Sequence, residues 1–144
     1  MPFDELRPGL ELRTRGRTIT ETDLVAFSAL TGDWHPAHSD ARVAAQSPFG
    51  ERVAHGMLLL SYALGQLPLD PARTVALREV RDVTFKRPAP IGTTIATRAV
   101  VQDVRPVDAG TGLVGVGLSI LGDDDRLLAR AGLGVLWRRE AEAA

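Results

Sequence analysis

The sequence predicts an α+β fold in which an antiparallel β-sheet wraps around one long central helix. Residues 53–67 are apolar on nearly every side and end at Pro68, which is typical of a helix buried on most of its faces. Residues 74–138 instead alternate bulky and small side chains between turn-forming residues, as consecutive antiparallel strands do. One strand, then helices, then four strands is not the βαβα order of a doubly wound sheet.

The first elements are a strand and a helix. Loose alternation of polar and apolar residues predicts a strand over residues 9–19. Thr20 and Asp23 have the spacing of a capping box, and apolar residues follow at three-residue intervals. We therefore expect a short helix over residues 21–31, ended by Gly32.

Two further helices precede the sheet. Asp40 is placed to cap a short helix over residues 41–46, and the turn formers of residues 47–50 interrupt the chain after it. The central helix over residues 53–67 would be roughly 22 Å long, shorter than the roughly 30 Å of a bilayer core. We expect it to lie in the protein core.

Four C-terminal strands are separated by segments rich in proline, glycine and aspartate. They are predicted over residues 74–86, 93–104, 113–121 and 127–138. In the last two, glycines alternate with larger residues and leave one face bare, which permits strong curvature or the close approach of another segment. Residues 139–144 are expected to form a charged tail.

Composition narrows the possible functions. The 144 residues suit a single domain, residues 1–144, and the absence of cysteine excludes disulfides, thiolate ligands and a cysteine nucleophile. Seventeen basic and eighteen acidic residues give a net charge of −1 without a basic stripe, which argues against nucleic-acid binding. The first residues do not resemble a secretory signal, so we expect a cytoplasmic protein that does not enter a membrane.

The candidate catalytic residues lie between the first helix and the central helix. Pro36 keeps His35 out of a helical conformation, so Asp33 and His38 are expected on a turn rather than on one helix face. A turn can bring a carboxylate and an imidazole five residues apart toward one point. There the two groups could hold one water molecule between them.

Three motifs in this region resemble a known family. They are GDWHPAHSD at residues 32–40, FG at residues 49–50 and VAHGML at residues 53–58. Together they resemble the MaoC-like (R)-specific enoyl-CoA hydratases and dehydratases, which have the hot-dog fold. The resemblance covers residues 18–90 well and the remainder loosely. It implies a homodimer with an acyl-thioester substrate in a tunnel at the subunit interface, and a role in fatty acid metabolism.

The resemblance also implies roles for particular residues. Asp33 and His38 would be the catalytic pair, and the backbone N–H of Gly56 would bind the thioester oxygen. Between the acid and the proline, where the family often has asparagine, this chain has His35. The difference concerns the hydrogen bonds that support the catalytic pair and the preference for substrate. The candidates to support the pair or line the substrate site are Trp34, His35, Pro36, Phe49, His55, Met57 and Ser61.

The residue types suit this chemistry. Hydration of a 2-enoyl thioester needs a held water, a group that takes its proton, a proton for Cα and stabilisation of an enolate-like oxygen. Asp33 and His38 could supply the first three, with Asp33 as the proton-transferring carboxylate and His38 as its partner on the water, so that H and OH are delivered to the same face. The N-terminus of the buried helix could supply the fourth, and Gly56 would let the substrate carbonyl approach closely.

Structural and metal-binding interpretations compete with this one. Asp33 could instead be a turn residue bound to nearby N–H groups, and His55 is expected to be a core histidine that holds the start of the central helix. Asp33 with His35, His38 and His55 could ligate zinc, but no H-x-x-x-H pair or thiolate supports a metal site, so none is predicted. No serine lies in a G-x-S-x-G motif.

Two other functions stay open for the same fold. One is an acyl-CoA thioesterase, which would use a carboxylate and water to release free thiol. The other is a non-catalytic subunit that binds acyl thioesters within a heteromer. No cofactor is expected beyond the coenzyme A or acyl-carrier phosphopantetheine of the substrate. The sequence leaves open the acyl chain length, the carrier and the physiological direction.

Overall fold

The chain forms four α-helices and six β-strands within residues 1–140, which the computed structural model describes. The helices are α1 (Glu21–Thr31), α2 (Pro36–Ser39), α3 (Ala41–Ala45) and α4 (Gly56–Gln66). The strands are β1 (Glu11–Arg13), β2 (Arg17–Thr18), β3 (Thr74–Phe85), β4 (Thr94–Pro106), β5 (Thr111–Leu121) and β6 (Leu127–Arg138). The charged tail was predicted over residues 139–144, of which residues 141–144 lie outside the described residues. Arg139 is not free as a tail residue would be, because its backbone N–H donates to the carbonyl of Gly110 and its guanidinium to the carbonyl of Asp108.

The first helix follows its sequence signals. The Thr20 side chain accepts the Asp23 N–H while the Asp23 carboxylate accepts the Thr20 N–H, which completes the predicted capping box. Gly32 ends α1 with a φ of 78°, in the left-handed region that favours glycine. These two signals place Asp33 immediately after the helix, as expected.

The loop after Asp33 contains a helix that the sequence analysis did not predict. Pro36 occupies the first turn of α2, where its missing N–H has no cost, and the His35 ring caps the helix by accepting the Ala37 N–H. Asp40 then caps α3, as predicted, by accepting the Arg42 N–H.

The sheet is antiparallel, with strand order β1-β4-β5-β6-β3, and β2 pairs separately with β4. The strand predicted over residues 9–19 was therefore partly wrong, because it is divided in two. At the break, the Thr14 hydroxyl accepts the Thr97 N–H, so a side chain replaces one backbone contact of the ladder. The four C-terminal strands are where the alternation predicted them.

The core lies between α4 and one face of the sheet. Leu58, Leu59, Leu60 and Ala63 of α4 are buried against strands β4, β5 and β6. The helix begins three residues later than predicted because the preceding segment is extended and the Ala54 N–H donates to the carbonyl of Ala89. It is also less enclosed than predicted, since a stripe of residues four apart is exposed. That stripe consists of Met57, Ser61 and Gly65.

Side chains that pack directly against the backbone explain glycines in the strands. The Phe3 ring occupies the position that a Cβ at Gly112 would need, and the Gln102 side chain does the same at Gly117. The bare positions therefore receive neighbouring side chains, as the sequence analysis allowed. Among the helices of the described part, none is long and apolar enough to cross a membrane.

Candidate active site

Asp33 lies on the loop between α1 and α2 with its carboxylate only partly engaged. Its Oδ1 accepts the His35 N–H at 3.2 Å, which is the Asx-type turn contact considered above. Among the contacts of the described residues, Oδ2 has no partner. The turn contact therefore fixes the side chain and leaves one oxygen available at the exposed rim of a cleft.

His38 lies on α2, and its orientation is set by one hydrogen bond. Its Nδ1 is 2.7 Å from the carbonyl oxygen of Val53. Because a carbonyl can only accept, Nδ1 carries a proton, and in the neutral ring the lone pair is on Nε2. The imidazole is half-buried in the cleft wall. Because Nδ1 already carries a proton, Nε2 is the atom that can take one.

These two groups are close enough to share a water molecule. One carboxylate oxygen of Asp33 and one ring nitrogen from each of His38 and His55 lie within 4.8 Å of one another. A water that hydrogen-bonds to two groups at about 2.8 Å from each spans up to about 5.6 Å. One carboxylate oxygen of Asp33 and one ring nitrogen of His38 are therefore within the reach of a single bridging water.

His55 is a buried residue that contacts both Asp33 and His38. It is 2 % exposed, and its Nε2 lies 3.0 Å from Ser28 Oγ and 3.1 Å from the carbonyl oxygen of Asp33. Its ring stacks on His38 with centroids 3.8 Å apart. Burial, as the largest cause, lowers the pKa of His55, so the ring is neutral at pH 7 with its proton on Nε2 toward the Asp33 carbonyl.

The N-terminus of α4 lies at the same cleft. His55 is its N-cap, but the His55 side chain accepts no hydrogen bond from the first backbone N–H groups of the helix. A Cβ on Gly56 would lie 2.8 Å from the ring of Phe85. The space left by the missing side chain is filled by Phe85 of the same chain, and the N–H of Gly56 is the group left for a ligand.

The cleft has a volume of about 490 Å³. Six predicted site residues line it, namely Asp33, His38, Phe49, His55, Gly56 and Met57. Phe49 and Met57 are about half exposed at its mouth. Its remaining lining comes from α2, α4, the segment before α4, the end of β3 at Phe85 and the segment after it.

The other predicted site residues lie outside this lining. Trp34 is 51 % exposed, and the His35 ring is used in capping α2 at its first residue, Pro36. Ser61 is exposed on α4 and donates its hydroxyl hydrogen to the carbonyl of Met57 one turn earlier. Within the single chain, these four residues support or flank the cleft and do not line it.

Two contributors to the site were missed by the sequence analysis. Ser28 is 2 % exposed and contacts His55, although it lies 27 residues earlier in the sequence. A serine four residues after Leu24, on the buried face of α1, was the available signal. Phe85 packs on Gly56 from the end of β3, and no local pattern indicates that pairing.

A metal ion fits this cluster less well than a water molecule does. The rings of His38 and His55 are stacked at 24° with centroids 3.8 Å apart, so their lone pairs lie in two nearly parallel planes, which disfavours a shared ion between them. One nitrogen of each ring already makes hydrogen bonds. They are Nδ1 of His38 with the carbonyl of Val53, and Nε2 of His55 with Ser28 and the carbonyl of Asp33. The Nδ1 of His55 is buried and has no partner among the described residues.

Solved structures show the class of fold. An Archaeoglobus structure described as a monoamine oxidase regulatory protein is 34 % identical, has a TM-score of 0.92 and aligns over 97 % of this chain and 95 % of its own. The (R)-hydratase PhaJ1 of Pseudomonas aeruginosa is 26 % identical with a TM-score of 0.79, over 99 % and 91 %. A Mycobacterium tuberculosis protein described as a double hotdog fold aligns with 100 % of this chain and 46 % of its own, at 25 % identity and a TM-score of 0.85. The chain has the hot-dog fold.

Sequence relatives give the family. The profile of the MaoC like domain matches residues 5–120. Protein MaoC of Klebsiella aerogenes is 43 % identical over 97 residues, which are 67 % of this chain and 29 % of that protein. The 3-hydroxybutyryl-CoA dehydratase of Methylorubrum extorquens is 32 % identical over 108 residues, 72 % of this chain and 66 % of the relative. The chain belongs to the MaoC-like family, and it matches less than two thirds of the length of either relative.

Proposed function

We propose that this protein catalyses the reversible hydration of 2-enoyl thioesters to (R)-3-hydroxyacyl thioesters. The observation that carries the proposal is the Asp33 and His38 pair, separated by the span of one water, in the same cleft as the uncapped N-terminus of α4. The names of the relatives support it, since they include the dehydratase above and an (R)-specific enoyl-CoA hydratase of Rhodospirillum rubrum, 29 % identical over 104 residues.

The pair activates the water. A water molecule donates one hydrogen bond to the free oxygen of Asp33 and another to Nε2 of His38, which leaves its lone pair directed at the substrate. As its oxygen bonds to C3 of the enoyl group, one O–H bond breaks and the proton passes to the pair. The two groups titrate as a coupled pair, so the proton belongs to both together.

The helix N-terminus stabilises the charge that develops. As the C–O bond forms, electrons from the double bond move to the thioester oxygen, where the Gly56 N–H and the positive end of α4 favour negative charge. A proton from the pair then returns to C2 and completes the addition on one face. Dehydration is the same sequence in reverse.

We further propose a homodimer with the substrate tunnel at the subunit interface. Strand β3 has β6 as its only sheet neighbour among the described residues, so its other edge is free. Apolar side chains are exposed along it, namely Val75, Leu77, Val80, Val83 and Phe85. A long apolar edge strand is a surface that proteins cover, and covering it would enclose the half-exposed Met57 and Phe85 at the cleft mouth.

The test follows enoyl absorbance and thiol release together, with crotonyl-CoA and a medium-chain 2-enoyl-CoA as substrates. We expect loss of enoyl absorbance without thiol release. Replacing His38→Ala should lower the hydration rate by about 10²- to 10⁴-fold while the protein stays folded. Thiol release by the wild type would indicate a thioesterase instead, and neither reaction on either substrate would support a non-catalytic subunit.

A further inference from the structure

Two cations, Lys86 and Arg87, line the cleft that contains Asp33, His38 and Gly56. They directly follow the last residue of β3, and both are exposed. The proposed chemistry uses neither of them.

The backbone of this segment is tied down on both sides. The N–H groups of Lys86 and Arg87 both donate to the carbonyl of Leu128, at 2.7 and 3.0 Å. Two residues after Arg87, the carbonyl of Ala89 accepts the N–H of Ala54 at 2.8 Å, just before α4. The two cations therefore have a fixed backbone position relative to the start of α4.

No carboxylate of residues 1–140 neutralises their charges. Other cations of the described part form ion pairs, namely Arg13 with Asp125, Arg17 with Asp23, Arg52 with Glu21, Arg81 with Glu79 and Arg98 with Glu11. Within residues 1–140, neither Lys86 nor Arg87 has a carboxylate partner. The guanidinium of Arg87 donates to the carbonyl of Leu127 at 2.7 Å, which orients it and keeps its charge.

The chemistry of the substrate supplies a matching anion. Coenzyme A and acyl carrier protein present the acyl group on the same phosphopantetheine arm, which ends in a phosphate. With the thioester oxygen at Gly56, the arm must leave through the cleft mouth. Lysine and arginine bind phosphate through charge-assisted hydrogen bonds.

We propose that Lys86 and Arg87 form the binding site for the phosphate of the phosphopantetheine arm. The inference rests on the proposed function for the direction of the arm. It assigns substrate affinity to the residues that follow β3 and the chemical step to Asp33 and to His38 of α2.

The test compares substrates with and without the phosphate. Hydration of crotonyl-CoA and of crotonyl-pantetheine, which has no phosphate, is measured for the wild type and for Lys86→Ala and Lys86→Glu. The matched control is Arg130→Ala, an exposed arginine on β6 that has no ion pair in the described part and lies outside the cleft.

We expect Lys86→Ala to raise the KM for crotonyl-CoA about 5- to 10-fold, and Lys86→Glu to raise it further, with kcat unchanged. The KM for crotonyl-pantetheine should not change in any variant. Added salt should raise the KM for crotonyl-CoA more in the wild type than in Lys86→Ala. Arg130→Ala should behave as the wild type does.

Two results would overturn the proposal. An unchanged KM for crotonyl-CoA in both Lys86 variants would show that the phosphate is bound elsewhere. An equal rise for crotonyl-pantetheine would show that Lys86 acts through the loop structure. Running crotonyl-acyl carrier protein in parallel distinguishes the two phosphate sources, because the Lys86 effect is largest for the carrier that the site accommodates.

The phosphate site can be tested separately from the proposed hydratase activity. If the wild type hydrates none of the substrates, calorimetric titration with free coenzyme A and with pantetheine tests the phosphate site directly. Weaker binding of coenzyme A by Lys86→Ala would support the site without any hydratase activity. Equal binding by the variant and the wild type would reject it.

Discussion

Two polar clusters contact α4, and they differ in how completely their hydrogen bonds are made. Near mid-helix, the Tyr62 hydroxyl and the Arg17 guanidinium donate to Oδ1 of Asp23, at 2.7 and 3.2 Å. The Oδ2 of Asp23 accepts the N–H and hydroxyl of Thr20. Burial alone would raise the pKa of Asp23, but the hydrogen bonds from Tyr62 and Thr20 outweigh it and lower the pKa. We call this the closed cluster.

The open cluster lies at the N-terminus of the same helix and consists of Asp33, His38 and His55. One oxygen of Asp33 and one nitrogen of His38 are bound within the chain, and the other atom of each is left available. Both clusters place an aspartate near an end of α1. Residue type therefore does not distinguish the two aspartates, whereas the number of their hydrogen-bonding atoms left unused does.

The largest expected effect on stability comes from Gly56→Ala, at the edge of the open cluster. The new Cβ would lie 2.8 Å from the Phe85 ring, so the free energy of unfolding should fall by about 1–3 kcal/mol, as in other overpacked sites. Urea denaturation measures it. The double variant Gly56→Ala with Phe85→Ala should recover most of the loss, and failure to recover would mean that the ring contact is not the cause.

A smaller loss is expected from opening the closed cluster with Tyr62→Phe. The change removes one hydrogen bond to a charged acceptor at a partly buried site, so the free energy of unfolding should fall by about 1 kcal/mol. Hydration of crotonyl-CoA should continue at the wild-type rate. Ser61→Ala is the matched control, because that exposed hydroxyl bonds only within α4, and it should be nearly neutral. A rate loss in Tyr62→Phe would contradict the division between the clusters.

The smallest effect concerns pH. Because burial lowers the pKa of His55, the unfolded chain takes up the proton first as pH falls through the ordinary histidine value near 6.5. The contribution of neutral His55 is complete above that pH, and stability falls below it until the folded protein also binds the proton. Melting temperatures between pH 7.5 and pH 5.5 should decline less steeply in His55→Gln than in the wild type. Equal slopes would show that His55 is not the titrating group.

Local rules accounted for much of the fold. The capping box at Thr20 and Asp23, the glycine at position 32 and the cap at Asp40 each depend on contacts within a few residues, and each was predicted. The four C-terminal strands were predicted from alternation, because one face of the sheet packs on α4 and the other does not. The core helix was predicted from its composition.

The remainder depends on contacts between distant parts of the chain. The break after β1 follows from the contact between Thr14 and Thr97, which are far apart in sequence. The unpredicted helix α2 depends on the His35 ring, which has no strong capping preference in sequence rules. Asp33 and His38 were chosen from their motif, but the placement of Ser28 and Phe85 beside them becomes visible only in three dimensions.

The most direct test of the account compares one aspartate from each cluster. Hydration of crotonyl-CoA and melting temperature are measured for Asp33→Asn and Asp23→Asn under the same conditions. We predict that Asp33→Asn lowers kcat by about 10²- to 10⁴-fold with little change in melting temperature. Asp23→Asn should lower the melting temperature and leave kcat unchanged. Wild-type turnover in Asp33→Asn, or an equal loss of kcat in both variants, would contradict the assignment of chemistry to the open cluster.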